Sequence, residues 1–173
     1  MTALKILETD RLLLRHLEPG DLAALQALYA DPEIRRYIPD APTNLAETKE
    51  ELDWFQRGHP QHPELGLWAT IYKPTGQFVG RCGLLPWTID SEVEVEVAYA
   101  IARSHQGRGL ATEAAQAILT YGFERLGLTR LICLIDENNV PSIRVAEKIG
   151  MTFARESRDE FGPFWIYAIS RPD

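Results

Sequence analysis

Residues 92–101 alternate without a break: Glu92, Glu94 and Glu96 fall on one face, and Val93, Val95, Val97, Tyr99 and Ile101 on the other. A period of two belongs to a strand, and a slip of one residue would exchange its faces, so the register is tightly specified. The strand runs into Gln106-Gly107-Arg108-Gly109-Leu110-Ala111. From Gly109 to about Leu126 the apolar positions Leu110, Ala114, Ala117, Ile118 and Tyr121 recur at helical spacing. The chain therefore contains a strand that feeds a glycine-bearing loop at a helix N-terminus. Glycine lets main-chain N–H groups turn toward a ligand. The unpaired N–H groups and the helix dipole then favour an anion, above all a phosphate. Two glycines two apart also suit a plain strand-to-helix turn. No GK[ST] follows, which excludes a Walker loop, and the third glycine of a dinucleotide fingerprint is missing.

The rest of the chain predicts one mixed domain over residues 1–173, without repeats or low-complexity linkers. A strand is expected near Asp10–Leu17, then a helix opened by Pro19-Gly20-Asp21 and stopped by Asp31-Pro32. A proline-rich loop through Tyr37–Pro42 leads to a helix capped by Thr43 or Asn44 and running to about Arg57. Leu67–Tyr72 and Gln77–Leu85 form a hairpin around Pro74-Thr75-Gly76. After the glycine loop and its helix, Leu131–Ile135 reads as a buried strand. Val140–Ile149 reads as a helix, and Phe164–Ser170 as a last strand, with a further one at Thr152–Arg158. The order is mixed α/β.

Charge and cysteine usage narrow the function classes. Against 18 Lys+Arg stand 25 Asp+Glu, a net charge of −7, which argues against nucleic-acid binding and permits a cationic partner. No apolar run reaches the ~20 residues of a membrane span, and the first ten residues lack an export signal. Cys82 and Cys133 stand alone, as reduced core residues do, so the expected location is the cytoplasm. His59 and His62 have no ligand-spaced companions, so no metal site is expected.

The spacing Gln106-x-x-Gly109-x-Ala111, after a strand and opening a helix, resembles the Q/R-x-x-G-x-G/A acetyl-coenzyme A motif of the GNAT acetyltransferase superfamily. Thr9-Asp10-Arg11-Leu12-Leu13-Leu14-Arg15, Pro19-Gly20-Asp21 and Asp31-Pro32-Glu33 are similar to the opening of its ribosomal-protein alanine acetyltransferase-like (RimJ/RimL-type) branch. Glu96-Val97-Ala98-Tyr99 resembles that branch's E-I-G-Y, and Asn139-x-x-Ser142 with Glu147-Lys148-Ile149-Gly150-Met151 resembles its N-x-x-S and EKLGF segments. The matches span nearly the whole chain in order. The resemblance implies a central, mostly antiparallel sheet flanked by about four helices, with one strand pair splayed. It implies acetyl-CoA as co-substrate: main-chain groups of Tyr99 and Ile101 on the pantetheine, which pairs as an added strand would. Gln106, Gly107, Arg108, Gly109, Ala111 and Thr112 would form the diphosphate cradle. One departure is Ala146, where many members carry a tyrosine that protonates the leaving thiolate; Ser142 is the branch's substitute.

Two positions carry alternatives. Proline fits the first helical position and restrains its predecessor, so Val140 is the expected cap and Asn139 lies just outside, free for the coenzyme or for an Asx-type turn. Ser142 can donate toward the sulfur or solvate the helix end.

Acetyl transfer to an amine needs a base to strip the ammonium. Glu94, Glu96, Ala98 and Ala100 share a face, where small alanines leave room for an acetyl group. Glu96 is the first candidate base and Glu94 the second; a solvated glutamate face is the plain alternative. Glu113, in the helix's first turn, suits the dipole better than catalysis. The acceptor is an amine, as a peptide N-terminus or small molecule, with Tyr37–Pro42 and Trp54, Phe55, Trp87 and Trp165 as candidate walls. The other function class compatible with the missing tyrosine is a catalytically silent acyl-CoA sensor. An exposed strand edge is compatible with a homodimer.

Overall fold

A computed structural model describes residues 4–172. In chain order it comprises β1 (Lys5–Glu8), β2 (Leu12–Arg15), α1 (Leu22–Ala30), α2 (Pro32–Arg35), α3 (Leu45–Arg57), β3 (Gly66–Tyr72), β4 (Gln77–Ile89), β5 (Glu92–Ile101), α4 (Leu110–Glu124), β6 (Arg130–Ile135), α5 (Val140–Lys148), β7 (Thr152–Asp159) and β8 (Gly162–Ser170). The strands form one eight-stranded sheet in the order β1-β2-β3-β4-β5-β6-β8-β7. Every neighbouring pair is antiparallel except β5 and β6, which run parallel.

The alternation on β5 sorts the two faces. Val97 and Ile101 pack with Leu110, Ala114, Ile118 and Phe123 of α4 and with Ala146 of α5. On the opposite face Ala100 joins Leu25, Leu28 and Tyr29 of α1, Ile34 of α2 and Leu52 of α3. The helices thus divide between the two sides, with β5 in the middle of both cores.

Three elements differ from expectation, each for a local reason. β1 precedes the first expected strand; it has four residues, the outer two exposed, too short to show a period. Asp31 ends α1 but also caps α2, accepting from Glu33 N–H, with Pro32 inside the first turn, so Asp-Pro closes one helix and opens another. β4 continues through Pro86 to Ile89. Strand parity turns the main chain of residue 86 toward β3, whose pairing ends at Gly66 opposite Leu84. The missing N–H of Pro86 therefore costs no ladder bond. Asp90 and Ser91 close the β4–β5 hairpin, both at positive φ (50° and 69°), as a two-residue type I′ turn requires.

Candidate active site

The donor half of the site is made of main chain. Gly107 and Gly109 adopt φ of 73° and 77°, a left-handed conformation that strains any other L residue. A Cβ on Gly107 would meet nothing, so glycine serves the dihedral there and not space. No side chain caps α4. Its first helical bond runs from Glu113 N–H to Gly109 C=O (3.0 Å), which leaves the N–H groups of Leu110, Ala111 and Thr112 ahead of it as helix-end orphans. These residues fit a diphosphate. Gln106 ties the loop to β5 by donating from Nε2 to Ile101 C=O (2.9 Å), and its main-chain N–H donates to Arg103 C=O (3.3 Å), so it braces the loop and offers no main-chain donor to a ligand. Arg108 donates to Ser104 C=O (3.2 Å). Glu113 accepts from Thr9 Oγ1 (2.6 Å), Arg11 N (2.9 Å) and Arg11 Nε (2.7 Å).

β5 and β6 are paired only at Glu96 and Ile132, and then diverge. Ala102 N–H bonds to Val79 C=O (2.7 Å), which places the even-numbered main-chain groups of β5 on the β4 side. The odd-numbered groups, those of Tyr99 and Ile101 among them, face the opening. Cys133 Sγ donates across its near end to Val97 C=O (3.3 Å). Further along, Tyr99 Oη donates to Ser142 C=O (2.9 Å) and accepts from Ser142 Oγ (3.1 Å). Burial holds the Tyr99 phenol well above its ordinary pKa. Ala146 is fully buried in the core, so the hydroxyls beside the opening are those of Tyr99 and Ser142.

The expected cap of α5 shifts by one residue. Asn139, not Val140, is the cap, and its Oδ1 accepts from Ser142 N–H (3.3 Å). Pro141 takes the second helical position, and the capping bond outweighs the restraint proline imposes on Val140. Asn139 therefore presents its Nδ2 but not a wholly free amide.

The acceptor half lies on the α1–α3 face. The three glutamates of β5 diverge in environment. Glu92 is exposed. Glu94 is paired with Arg130 at 3.1 Å. Glu96 accepts from Trp87 Nε1 (2.6 Å) and from the Leu134 main chain. Burial pushes the Glu96 carboxyl above the usual carboxylate range; these hydrogen bonds and the Arg81 charge recover only part of that. On the same face Gly83 pairs with Ala98, which keeps the floor beside Glu96 low. A Cβ on Gly83 would collide with the main-chain oxygen of Gly66.

Three residues of this half, Arg81, Tyr29 and Glu51, escaped the sequence reading. Arg81, only 7% exposed, donates from Nε to Tyr29 Oη (3.1 Å), and Tyr29 donates to Glu51 Oε2 (2.7 Å). Burial works against the Arg81 charge, but Tyr29, Glu51 and Glu96 outweigh it, so the guanidinium stays firmly protonated. Burial raises the Glu51 carboxyl as well, and Asp40 adds to the rise at both Glu51 and Glu96. Asp40 sits on the loop after α2, which Arg35 anchors through Tyr29 C=O (3.2 Å) and Pro42 C=O (2.9 Å). Tyr37 on that loop reaches Asn138 C=O (3.3 Å), joining it to the β6–α5 segment.

Of the aromatic candidates, Trp87 stands at Glu96. Trp54 packs on Phe55 and His59 (5.0 and 5.5 Å between rings). Trp165 lies with the core on the α4 side, against Phe153 (5.4 Å), and so on the wrong face for an acceptor wall. Among the described residues no three His, Cys, Asp or Glu side chains converge as metal ligands, and no helix is long and apolar enough to cross a membrane.

A parallel strand pair that opens beside an uncapped, glycine-led helix suits a thioester donor, as an enzyme of the acyltransferase kind requires. The acetyltransferase (GNAT) domain family matches residues 11–152, and the chain belongs to that family. It is 39% identical over 168 residues to the uncharacterized protein YkkB of Bacillus subtilis (strain 168), covering 96% of each chain. It is 36% identical over 149 residues to the spermidine N(1)-acetyltransferase of Escherichia coli (strain K12), covering 86% of this chain and 76% of that one. Its fold matches the crystal structure of the GNAT-family acetyltransferase from Bacillus anthracis with a TM-score of 0.80 at 26% identity, over 96% and 98% of the two chains. The protein is thus an acetyl-CoA-dependent N-acetyltransferase.

Proposed function

We propose that this enzyme acetylates a primary amino group of a small polycationic amine, by direct attack, with Glu96 as the base. The observation that carries this is the place of Glu96. It is the last residue of β5 paired to β6 before the strands part, and its side chain lies on the acceptor face. Bound acetyl-CoA supplies an acetyl group activated as a thioester. Glu96 takes the proton from the incoming ammonium, and its raised pKa suits a base working near neutrality. Glu94, held by Arg130, is the poorer candidate. Asp40, Glu51 and Glu96 together outnumber the single charge of Arg81, a setting that favours a ligand with more than one ammonium over a neutral one. The relative that acts on spermidine supports the same acceptor class. On the other side of the sheet the Ser142 hydroxyl, which donates to Tyr99 Oη in the resting site, turns to the departing thiolate and gives it its proton, which the second proton lost by the nitrogen as the amide forms replaces. Gly107, Arg108, Gly109, Ala111 and Thr112 supply main-chain donors to the diphosphate, and Tyr99 and Ile101 hold the pantetheine.

The test is thiol release from acetyl-CoA in the presence of spermidine, amino acids or peptides with free N-termini. Spermidine should give the highest kcat/KM, and Glu96→Gln should slow release about 10²–10⁴-fold while coenzyme A still binds. Release with peptides alone, or undiminished release by Glu96→Gln, would overturn the assignment.

A further inference from the structure

The β1–β2 turn lies about a hundred residues from the phosphate loop in sequence but is bolted to it. Arg11 NH1 donates to Arg108 C=O (3.0 Å), while its Nε and NH2 grip Glu113 Oε2 (2.7 Å each). Thr9 Oγ1 and the Arg11 main-chain N–H close on the other carboxylate oxygen. We propose that Arg11, with Glu113 and Thr9, is a positioning residue for the coenzyme. On this reading, which rests on the loop being the diphosphate site, it presets the direction of the Gly109 N–H.

The reason lies in the peptide plane. Arg108 C=O and Gly109 N–H belong to one trans peptide and point opposite ways. Two left-handed glycines flank Arg108, so this peptide has little steric restraint of its own. If it flipped, a carbonyl oxygen would face the diphosphate in place of a donor. Anchoring the oxygen on Arg11 aims the N–H away from the β1–β2 turn and keeps it there. The same grip neutralises Glu113, which would otherwise place a bare carboxylate in the first turn of α4. Its hydrogen bonds to Thr9 and Arg11 outweigh burial and hold its pKa below the ordinary range, so the pair stays ionised. Arg11 therefore brings almost no net charge of its own to the loop; its contribution is geometric.

Arg11→Met and Glu113→Ala test this with two donors, acetyl-CoA and S-acetylpantetheine, which has the thioester and arm but no diphosphate. Arg11→Met should raise the Kd for coenzyme A about tenfold or more and lower kcat/KM with acetyl-CoA correspondingly. With S-acetylpantetheine the wild type and the variant should agree within about twofold, a split that general loss of fold cannot produce. Glu113→Ala decides between geometry and charge. Releasing Arg11 from its carboxylate tightens coenzyme A if charge is what matters, and weakens it if the anchored peptide is. Equal losses with both donors, an unchanged Kd in Arg11→Met, or tighter binding in Glu113→Ala would each overturn the proposal. Failure of the wild type itself to bind coenzyme A would instead overturn the assignment of the loop.

Discussion

Replacing Arg81 by Met should move the acid limb of the pH–rate profile without changing the plateau. Arg81 lies buried on the α1–α3 face with Glu96 and Glu51 near it, and its Nε–H donates to Tyr29 Oη (3.1 Å). Its charge favours the ionised form of Glu96, in opposition to burial and to Asp40, while Trp87 and the Leu134 main chain act on the same side as Arg81. The base works only when ionised, so the rate climbs with pH through the Glu96 pKa. Without Arg81 that pKa climbs further. Loss of one opposite charge beside a partly buried carboxyl is worth about 1 pKa unit. The limb should therefore shift up by about one unit, and the rate well below it should fall about tenfold. Above the limb the two enzymes should converge.

The assay is kcat/KM for thiol release with spermidine across the pH range in which the fold is intact, monitored by circular dichroism. Tyr29→Phe is the companion, because it deletes the hydrogen bond to Arg81 but leaves the charge; its limb should stay within about 0.3 units of wild type. Glu96→Gln should abolish the limb and cost about 10²–10⁴ in rate. A uniform drop at all pH values in Arg81→Met, or a limb that persists in Glu96→Gln, would refute the reasoning and make the buried guanidinium a purely structural element.

Two further outcomes follow from the donor half. Gly109→Trp puts a Cβ at φ 77° and a bulky ring on the loop, and should abolish the thermal shift given by acetyl-CoA; an unchanged shift would remove the diphosphate from this turn. Ser142→Ala removes the hydroxyl bonded to Tyr99 but keeps the N–H that Asn139 caps, so turnover should fall about tenfold or more with Kd for coenzyme A within about twofold, and equal losses in both would make the serine a binding contact only.

The backbone geometry of the candidate donor half could be read from sequence because its parts are local. The period of β5 set which main-chain groups face the opening, and the two glycines marked where the backbone turns left-handed before α4. The capping of α5 was legible only to within one residue, since proline fits two positions in a first turn and the Asn139–Ser142 bond decides between them. β1 was illegible because four residues cannot show a period, and α2 because Asp31-Pro32 carries a stop and a start in one dipeptide. The acceptor half was mostly illegible. Arg81 looks like any charged residue in a strand, and nothing near it in sequence announces that Tyr29 of α1 and Glu51 of α3 converge on it. Glu94 and Glu96, alike by period, are separated only by where Arg130 and Trp87 reach.

That asymmetry has a physical consequence for how such an enzyme can change its substrate. Donor recognition, as proposed, rests on peptide groups whose directions follow from dihedral angles and strand parity, so few side-chain replacements should disturb it short of the glycines and the Arg11 anchor. Acceptor recognition, as proposed, rests on side chains from β4, β5, α1, α3 and the loop after α2, all charged but Tyr29 of α1. These are held by hydrogen bonds among themselves, and the sheet ladder does not depend on them. Asp40 can be exchanged without touching a strand, whereas removing Arg81 leaves two partly buried carboxylates without their counter-charge and so raises their pKa values. On the proposed assignment the acceptor side divides into a rim, on the loop carrying Tyr37 and Asp40, and a floor of Arg81, Tyr29 and Glu51 that tunes the protonation of Glu96. A change of amine would come through the rim, and a change of working pH through the floor.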